Sequence, residues 1–273
     1  MSSPYQPKDY WEQRFSRRLD IAVVGHSGLG RIYNQWLYRG RYRALRRSLC
    51  RLQLTVRGKS LLEVGVGSGA YIPFWKAAGV ADLAGLDITA ASVNLLRSRF
   101  PDCEFEQADI CSAELTVERE WDIVTAFDIL FHVTDDDGFS VAVTNLSRMT
   151  RPGGWVILSD GFCSDPLGPF YHEYHRSRDH YLRELERAGL KPAHVEPIFF
   201  AMSTTMCDPG GKHRRLAALT GVMLGLVGRL AARRWTAWAN HVIGCALYTV
   251  DGALGRVLDS GPSLKLLFAR KLP

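Results

Sequence analysis

The sequence lacks the features that would mark a metal-binding, secreted or membrane-spanning chain. No two of its six cysteines stand in C-x-x-C spacing, which argues against a zinc site or a redox pair and fits reduced thiols in a cytoplasmic protein. The N-terminus has no basic segment followed by an apolar one, so we expect no secretory signal. The uncharged run 216–228 has thirteen residues, whereas a spanning helix needs about 20. With 47% hydrophobic and 23% charged residues, the 273-residue chain is typical of an ordinary globular protein.

Acidic residues are scarce in the first sixty positions. That segment has thirteen Lys or Arg against three Asp or Glu, a net charge of +10, so the remainder carries −4 of the total of +6. A basic front of this kind is compatible with contact to nucleic acid, to an anionic membrane or to an acidic substrate. A solvated helix face without a partner explains it equally well, so the charge alone assigns no function.

Apolar residues recur at two different periods along the chain. From Trp36 to Leu52 they follow helical spacing with arginines on the opposite side. After Gly58, short apolar runs alternate with helical segments, which indicates parallel β-α-β units in a doubly wound α/β sheet covered on both faces. We therefore expect an N-terminal helical cap over 1–57 and a main domain over 58–273. The predicted strands are 60–65, 82–86, 104–107, 121–127, 154–159, 194–200 and 264–270, and the predicted helices between them are 70–79, 90–99, 138–149 and 178–189.

A helical insertion at about 201–262 interrupts this alternation before the last strand. It contains two apolar helical stretches, 215–235 and 238–258, and arginines flank the first. A lid inserted between two strands is the more economical interpretation. Basic residues beside an apolar run are also typical of a helix in the membrane interface, so a peripheral membrane contact through 215–235 stays open, as does a homodimer.

Three glycines alternate directly after the first predicted strand, in the stretch LLEVGVGSGAY (61–71). Gly65, Gly67 and Gly69 permit a tight turn and the close approach of a ligand to the backbone. The same spacing also fits the G-x-G-x-x-A pattern of dinucleotide-binding proteins. Glu63 favours a different ligand, because a carboxylate repels a pyrophosphate and attracts an ammonium group.

Further functional side chains follow the next predicted strands. Asp87 ends the second strand, where it can accept hydrogen bonds from ribose hydroxyls, and Asp109 ends the third, where it can accept one from an adenine amino group. Phe127, Asp128 and His132 follow the fourth strand, at the edge where open α/β sheets bind ligands. Capping of the following helix is the alternative for either aspartate, but both acids in this order favour a nucleoside site.

These motifs resemble those of the class I S-adenosylmethionine-dependent methyltransferases of the small-molecule type, over about residues 58–200 plus the last strand. The resemblance implies a Rossmann-like sheet of seven mostly parallel strands, the last of them antiparallel, and S-adenosyl-L-methionine as the cofactor. It also implies a role for each motif residue: Glu63 at the methionine amino group, the backbone of Gly65 and Gly67 under the cofactor, Asp87 on the ribose, Asp109 on the adenine amino group, Ile88 and Ile110 on the adenine ring, and Phe127 beside the methionine part. The segment DYWEQRF resembles the front helix of many members, which adds Tyr10, Trp11 and Arg14 as cofactor-binding residues.

His132 and Asp128 are the predicted catalytic residues. A hydroxyl acceptor must lose its proton, and the intrinsic pKa of a histidine suits a general base near neutrality. A structural histidine bonded to a backbone carbonyl is the alternative for His132.

A second histidine-rich stretch, YHEYHRSRDHY, covers 171–181. The spacing of His172, His175 and His180 does not place all three on one helical face, so we predict no metal site. A substrate-facing role for His172 or His175 stays open.

The methyl acceptor is the part of the function that the sequence specifies least. An aromatic and aliphatic insertion can roof an apolar pocket, so we expect a small, largely apolar metabolite, such as a natural product, a lipid-like molecule or a glycoside, methylated on a hydroxyl. RNA or protein methylation is the alternative enzyme class. No nucleic-acid-binding module is recognisable, however, and FDIL stands where an N/D-P-P-Y-like tetrapeptide would serve a planar nitrogen acceptor. A scaffold that binds the cofactor without transferring its methyl group is the alternative outside the enzymes.

Overall fold

Seven strands form one sheet in the computed structural model, which describes residues 5–203, 214–231 and 237–273. Their order is β3-β2-β1-β4-β5-β7-β6, and β7 runs antiparallel to its neighbours β5 and β6, whereas the other pairs are parallel. The predicted seven-stranded, mostly parallel α/β sheet is therefore confirmed. The strands are β1 (Ser60–Val64), β2 (Asp82–Asp87), β3 (Glu104–Gln107), β4 (Trp121–Phe127), β5 (Thr150–Asp160), β6 (Leu190–Pro197) and β7 (Lys265–Lys271).

The strand order reverses between β1 and β4, which lie side by side at the centre of the sheet. The chain leaves β1 toward one side and β4 toward the other, so the loops at their carboxyl ends diverge and leave a crevice between them. Glu63 lies on β1, paired in register with Gly85 on one side and Thr125 on the other. The carboxylate singled out in the sequence is thus at the centre of the sheet.

Helices cover both faces of the sheet. Successive strand residues such as Leu61 and Leu62 point to opposite faces, and they belong to separate hydrophobic cores: one is shared with α3, α4 and α5, the other with α6 and α7. The described α-helices are α1 (Pro7–Arg17), α2 (Ile21–Val24), α3 (Gly30–Arg51), α4 (Ile72–Ala78), α5 (Ala90–Arg99), α6 (Asp136–Arg148), α7 (Arg178–Arg187), α8 (Arg214–Ala231) and α9 (Ala237–Val257).

Two predicted strands differ from the structure by more than one residue at an end. β5 begins at Thr150 instead of 154, and β6 covers Leu190–Pro197 instead of 194–200. Residues 198–200 are buried and apolar, as a strand would be, but the carboxylate of Asp251 accepts hydrogen bonds from the backbone N–H groups of Phe200 (3.2 Å) and Ala201 (2.7 Å). A side chain of α9 therefore takes the place of a strand partner there.

The two helices of the insertion pack on the outside of the cap and not over the sheet edge. At Gly244 of α9 a Cβ atom would lie 2.3 Å from the Trp36 ring of α3, so only glycine permits this approach. Arg43 of α3 donates a hydrogen bond of 2.6 Å to the carbonyl of Tyr248 and lies over its ring. Leu224 and Val227 of α8 are buried in the same core.

Several arginines of the basic front pair with acids of the main domain. Arg41 of α3 lies 2.5 Å from the carboxylate of Asp128, and Arg47 and Arg51 both contact the buried carboxylate of Glu196 on β6. Part of the charge asymmetry therefore holds the cap onto the sheet, which accounts for those residues without an external partner.

The cysteines differ from one another in redox state. Cys50, Cys103, Cys111 and Cys245 are free thiols. Cys163 is disulfide-bonded, so the expectation of reduced thiols is wrong at that position. The cytoplasmic location stays a prediction.

Candidate active site

A cavity of about 350 Å³ lies in the crevice at the carboxyl ends of the central strands. We call it the first cavity. The structure brings together here segments from the whole first half of the chain, and every cofactor-binding residue predicted at a strand end lines it: Glu63, Gly65, Gly67, Asp87, Ile88, Asp109, Ile110 and Phe127. Their individual contacts to a cofactor stay predictions.

Glu63 is an ionisable group without a counter-charge in the wall of the first cavity. Its side chain is 2% exposed, and its Oε2 atom has no hydrogen-bond partner among the described residues. Burial, together with the nearby charge of Asp87, raises the pKa of the carboxyl well above its ordinary value. A buried carboxylate without a partner is costly, and an ammonium group bound in the cavity would remove that cost.

The glycine loop has the backbone conformation that its sequence predicts. Gly65 and Gly67 have φ angles of 71° and 52°, in the left-handed region that favours glycine. Close packing adds a second requirement, because a Cβ atom on Gly65 would lie 2.3 Å from Cγ2 of Ile129, the second residue after β4. The first glycine thus allows the β1 and β4 loops to touch.

Asp87 and Asp109 both have local hydrogen bonds as well as a position at the cavity. Asp87 is buried and accepts from the N–H of Gly67 at 2.8 Å and from the N–H and hydroxyl of Thr89, the N-cap of α5, at 2.9 and 2.7 Å. Asp109 is exposed and accepts from the N–H of Cys111 at 2.8 Å. Asp87 is therefore not itself the cap of α5, but its carboxylate binds the cap residue Thr89 and fixes the glycine loop.

Helix α1 lies across the first cavity, but its three predicted residues have different positions. Trp11 lines both this cavity and a second one, Arg14 lines the second one, and Tyr10 lines neither. Tyr10 instead stacks on His172 with ring centroids 5.0 Å apart. Glu12 fastens the helix by accepting hydrogen bonds from the first two N–H groups of α5, at 2.7 and 3.0 Å.

The second cavity, of about 260 Å³, adjoins the first. Trp11, Val24, Tyr38, Asp128 and His132 line both cavities and separate them. Ser203, at the start of the insertion, lines the second cavity, whereas no described residue of α8 or α9 lines either one. The role of the insertion as a pocket roof stays a prediction. The other polar and charged residues of the second cavity are Arg14, His26, Asn34, Arg41, His172, Glu173, His175 and Ser203.

Asp128 is held firmly between the two cavities. It has a φ angle of 57°, which is uncommon for a residue with a side chain. Ser159 of β5 both donates to its carboxylate at 2.6 Å and accepts from its N–H at 2.9 Å, while Arg41 forms the ion pair described above. These partners make Asp128 an anchor for the β4 loop, and its catalytic role stays a prediction.

His132 follows β4 in a short 3-10 turn, and its ring faces Trp11. Its Nδ1 atom lies 2.8 Å from the carbonyl oxygen of His172, so Nδ1 carries the proton and Nε2 keeps the lone pair. Burial lowers the pKa of this histidine to about 4. It is neutral at physiological pH. Its hydrogen bond to a backbone carbonyl is the contact expected of a structural histidine, the alternative to a general base.

A buried network supports the far wall of the second cavity. His175 lies 2.9 Å from the carboxylate of Asp160, which also accepts a hydrogen bond from Tyr181. The other ring nitrogen of His175 lies 3.9 Å from the carboxylate of Glu173. Burial alone would lower the pKa of His175, but its bonds to Asp160 and Glu173 raise it to about 9. The raised pKa favours the charged form of His175 beside the Glu173 carboxylate.

Sequence reasoning missed the residues that build the second cavity from the cap. Asn34 of α3 is buried and uses its amide to bond the N–H and the carbonyl of His26, which fixes the loop before α3. Arg41 belongs to the arginine-rich face of α3, where its helical spacing alone does not distinguish it from solvated neighbours. A polar residue on the apolar side of that helix, such as Asn34, was the available signal.

Comparison with known proteins gives a family for part of the chain. Residues 61–154 match the model of a methyltransferase domain. A ubiquinone biosynthesis O-methyltransferase from Hydrogenovibrio crunogenus is 31% identical over 109 residues, which cover 38% of this chain and 44% of that protein. One from Paracidovorax citrulli is 27% identical over 108 residues, again 38% of this chain and 44% of that protein. The chain thus matches less than half the length of these relatives.

Solved structures extend the likeness to the whole fold. The magnesium protoporphyrin IX methyltransferase of Synechocystis PCC 6803 has a TM-score of 0.58 at 13% identity and covers 99% of this chain and 100% of its own. An S-adenosylmethionine-dependent methyltransferase of Mesorhizobium loti has a TM-score of 0.51 at 18% identity, covering 82% and 96%. The resemblance read from the sequence is therefore confirmed for the domain and its fold.

Proposed function

We propose that this chain, whose residues 61–154 form a methyltransferase domain of the class I fold, binds S-adenosyl-L-methionine in the first cavity and methylates a hydroxyl of a small molecule in the second. The observation that carries the proposal is Glu63, a buried acid whose Oε2 atom has no hydrogen-bond partner among the described residues, at a cavity lined by a nucleoside-type set of acids. When bound, the cofactor supplies an electrophilic methyl group.

The residues of the first cavity form two groups, one at each end of the proposed cofactor site. Asp87 and Asp109 would hold the ribose and the adenine, with Ile88 and Ile110 against the ring. Glu63 would hold the ammonium group at the other end. Asp128 and His132, which line both cavities, follow β4 shortly after Phe127. The second cavity therefore adjoins the methionine end, where an acceptor has to lie.

The lining of the second cavity revises the expected acceptor. Arg14, Asn34, Glu173 and several histidines stand beside apolar residues such as Leu37 and Phe131. An acceptor with polar substituents on an apolar body fits this wall better than a wholly apolar one. A hydroxyl as the methylated group agrees with the curated relatives, which are named O-methyltransferases. The cavity volume of about 260 Å³ favours a small molecule over RNA or protein.

Calorimetry with S-adenosylmethionine and S-adenosylhomocysteine tests the proposal, and we expect micromolar or tighter binding of both. His132→Ala should keep that affinity and lower turnover of a hydroxylated acceptor by about 100-fold or more, in the range typical of a lost acid-base or positioning group. His180→Ala, on α7 away from both cavities, is the matched control.

Three outcomes of that experiment separate the alternatives. Absence of micromolar binding of either compound would contradict the cofactor assignment. Binding without turnover on any hydroxylated acceptor would favour the scaffold. Unchanged turnover in His132→Ala would remove this histidine from the reaction.

The outer faces of α8 and α9 would contact an anionic membrane surface. Leu219, Val222 and Trp238 are 61%, 74% and 69% exposed, an apolar area that a monomeric protein seldom leaves in water. The one acid in the two helices, Asp251, is buried, whereas Arg229 and Arg256 are exposed. None of the helices in the described part of the chain is long and apolar enough to cross a bilayer.

Val222→Glu should lower binding to vesicles of phosphatidylserine and phosphatidylcholine by at least about 10-fold, because an inserted valine contributes about 1.5 kcal/mol and the new charge is repelled. Co-sedimentation measures this. Leu272→Glu, at an exposed leucine after β7, is the control and should bind as the unchanged protein does. A dimer that dissociates in Val222→Glu, without any vesicle binding, would show instead that a second copy covers this face.

A further inference from the structure

Three potential metal ligands meet in the wall of the second cavity. His132 follows β4, whereas His172 and Glu173 belong to the loop between β5 and α7. One ring nitrogen from each histidine and one carboxylate oxygen lie within 4.8 Å of one another. Nε2 of His132 keeps its lone pair, because Nδ1 carries the proton.

The spacing of these atoms is close to that of a coordination shell. Nε2 of His172 lies 3.3 Å from Oε1 of Glu173. Two ligands at tetrahedral angles and about 2.0–2.1 Å from a zinc ion are about 3.3 Å apart. That pair already has the required separation, and a ring nitrogen of His132 lies within 4.8 Å of both partners.

The surroundings orient all three side chains, as the outer partners of metal ligands do. Nδ1 of His132 donates to the carbonyl of His172, so one ligand fixes the tautomer of the other. The ring of His172 lies between those of Tyr10 and His132, with centroids 5.0 and 5.7 Å away. The second carboxylate oxygen of Glu173 faces His175, which is bonded in turn to Asp160.

We propose that His132, His172 and Glu173 bind a divalent transition-metal ion of the zinc type, with its open positions toward the second cavity. Two histidines and a carboxylate that leave a fourth position free are the ligand pattern of catalytic zinc. Its purpose rests on the proposed function: a hydroxyl bound to such an ion loses its proton to water at a lower pH than a free one.

This site departs from the sequence prediction of no metal. That prediction compared His172, His175 and His180 along one helix, but the loop residues His172 and Glu173 meet a histidine forty positions earlier in the chain. The β4 loop and the β5-to-α7 loop come together only because β4 and β5 are neighbours in the sheet.

Titration of the chelator-treated full chain with Zn²⁺ tests the site by calorimetry, with Co²⁺ as a spectroscopic probe. We expect one ion per chain at micromolar affinity or better, and Co²⁺ d–d absorption without the thiolate charge-transfer band that cysteine ligation would give. His172→Ala and Glu173→Gln should each weaken binding by at least about 100-fold, beyond the 10- to 100-fold typical of a lost outer partner. His180→Ala and Glu186→Gln, two changes of the same kind on α7, should not.

Cofactor affinity separates this proposal from the proposed function. His172 and Glu173 line the second cavity and not the first, so both variants should bind S-adenosylmethionine as the unchanged protein does, which also shows that they fold. Equal Zn²⁺ affinity in the unchanged protein and in His172→Ala, a thiolate spectrum, or no binding at micromolar Zn²⁺ would each overturn the metal site. Loss of S-adenosylmethionine binding in the unchanged protein would overturn the proposed function and leave the metal result standing.

Discussion

Glu63→Gln is expected to weaken S-adenosylmethionine binding by at least about 30-fold. Removal of one partner from a buried, hydrogen-bonded charge pair costs about 2 kcal/mol or more, and Glu63 is the buried acid available to the cofactor's ammonium group at the end of β1. Calorimetry at pH 7 measures the change. Glu186→Gln, at an exposed position of α7, is the matched control and should keep the original affinity.

The same substitution should make the cofactor-free protein more stable at neutral pH. The pKa of Glu63 is raised in the folded state above its ordinary value of 4.5, so the unfolded chain ionises first as pH rises and the free energy of unfolding falls. Below that value both states are protonated and no cost remains. Thermal unfolding should therefore separate the two proteins at pH 7 and bring them together at about pH 4. Lower stability of Glu63→Gln at both pH values would show that the carboxylate has a stabilising partner.

Proton release on cofactor binding gives a third measure of Glu63. An ammonium group near the carboxylate lowers its pKa, so binding should release a proton at pH values where the empty site is protonated. Calorimetry in buffers with different ionisation enthalpies detects that proton. Glu63→Gln should abolish the release, and a release that persists would assign it to another group.

The site around Glu63 could be predicted because it follows from the strands. Each parallel strand ends at the same edge of the sheet, so Asp87, Asp109 and Phe127 converge there without any knowledge of loop conformation. The glycines have their expected conformation for the same local reason. The second cavity does not have this property, because His26, Arg41 and Glu173 come from irregular loops and a helix whose rotation the sequence does not define.

The remaining differences between the predicted and the observed elements lie in segments that are buried without being paired as strands. Residues 198–200 are as apolar as a strand, and periodicity alone does not distinguish a buried strand from a buried loop. Apolar composition alone does not show where the helices of the insertion pack, whereas Gly244, Gly252 and Gly255 lie on the face of α9 toward Trp36, Arg43 and Arg47 of α3. A line of glycines on one helical face was the signal that α9 packs closely against another helix.

Gly65→Ala is expected to destabilise the protein more than the same change at Gly58, although both glycines have a positive φ. Gly58 has a φ of 74° and nothing within 4 Å of an added Cβ atom, so Gly58→Ala should cost about 1–2 kcal/mol, the usual penalty for a side chain in the left-handed region. Gly65 has nearly the same φ, 71°, but here the added Cβ atom would lie 2.3 Å from Cγ2 of Ile129. Overpacking of that kind adds about 1–3 kcal/mol.

Removal of the Ile129 side chain should abolish the additional destabilisation that the clash causes in Gly65→Ala. In the double variant Gly65→Ala/Ile129→Ala the clash is absent while the backbone penalty stays, so the two changes together should cost about 1–3 kcal/mol less than the sum of each alone. Urea unfolding of the four proteins in the cycle measures this difference. The cofactor should bind Gly58→Ala normally and Gly65→Ala at least about 10-fold more weakly, a loss of about 1.4 kcal/mol or more. Simple additivity would mean that the β1 and β4 loops move apart without cost, and the first glycine would then serve the backbone conformation alone.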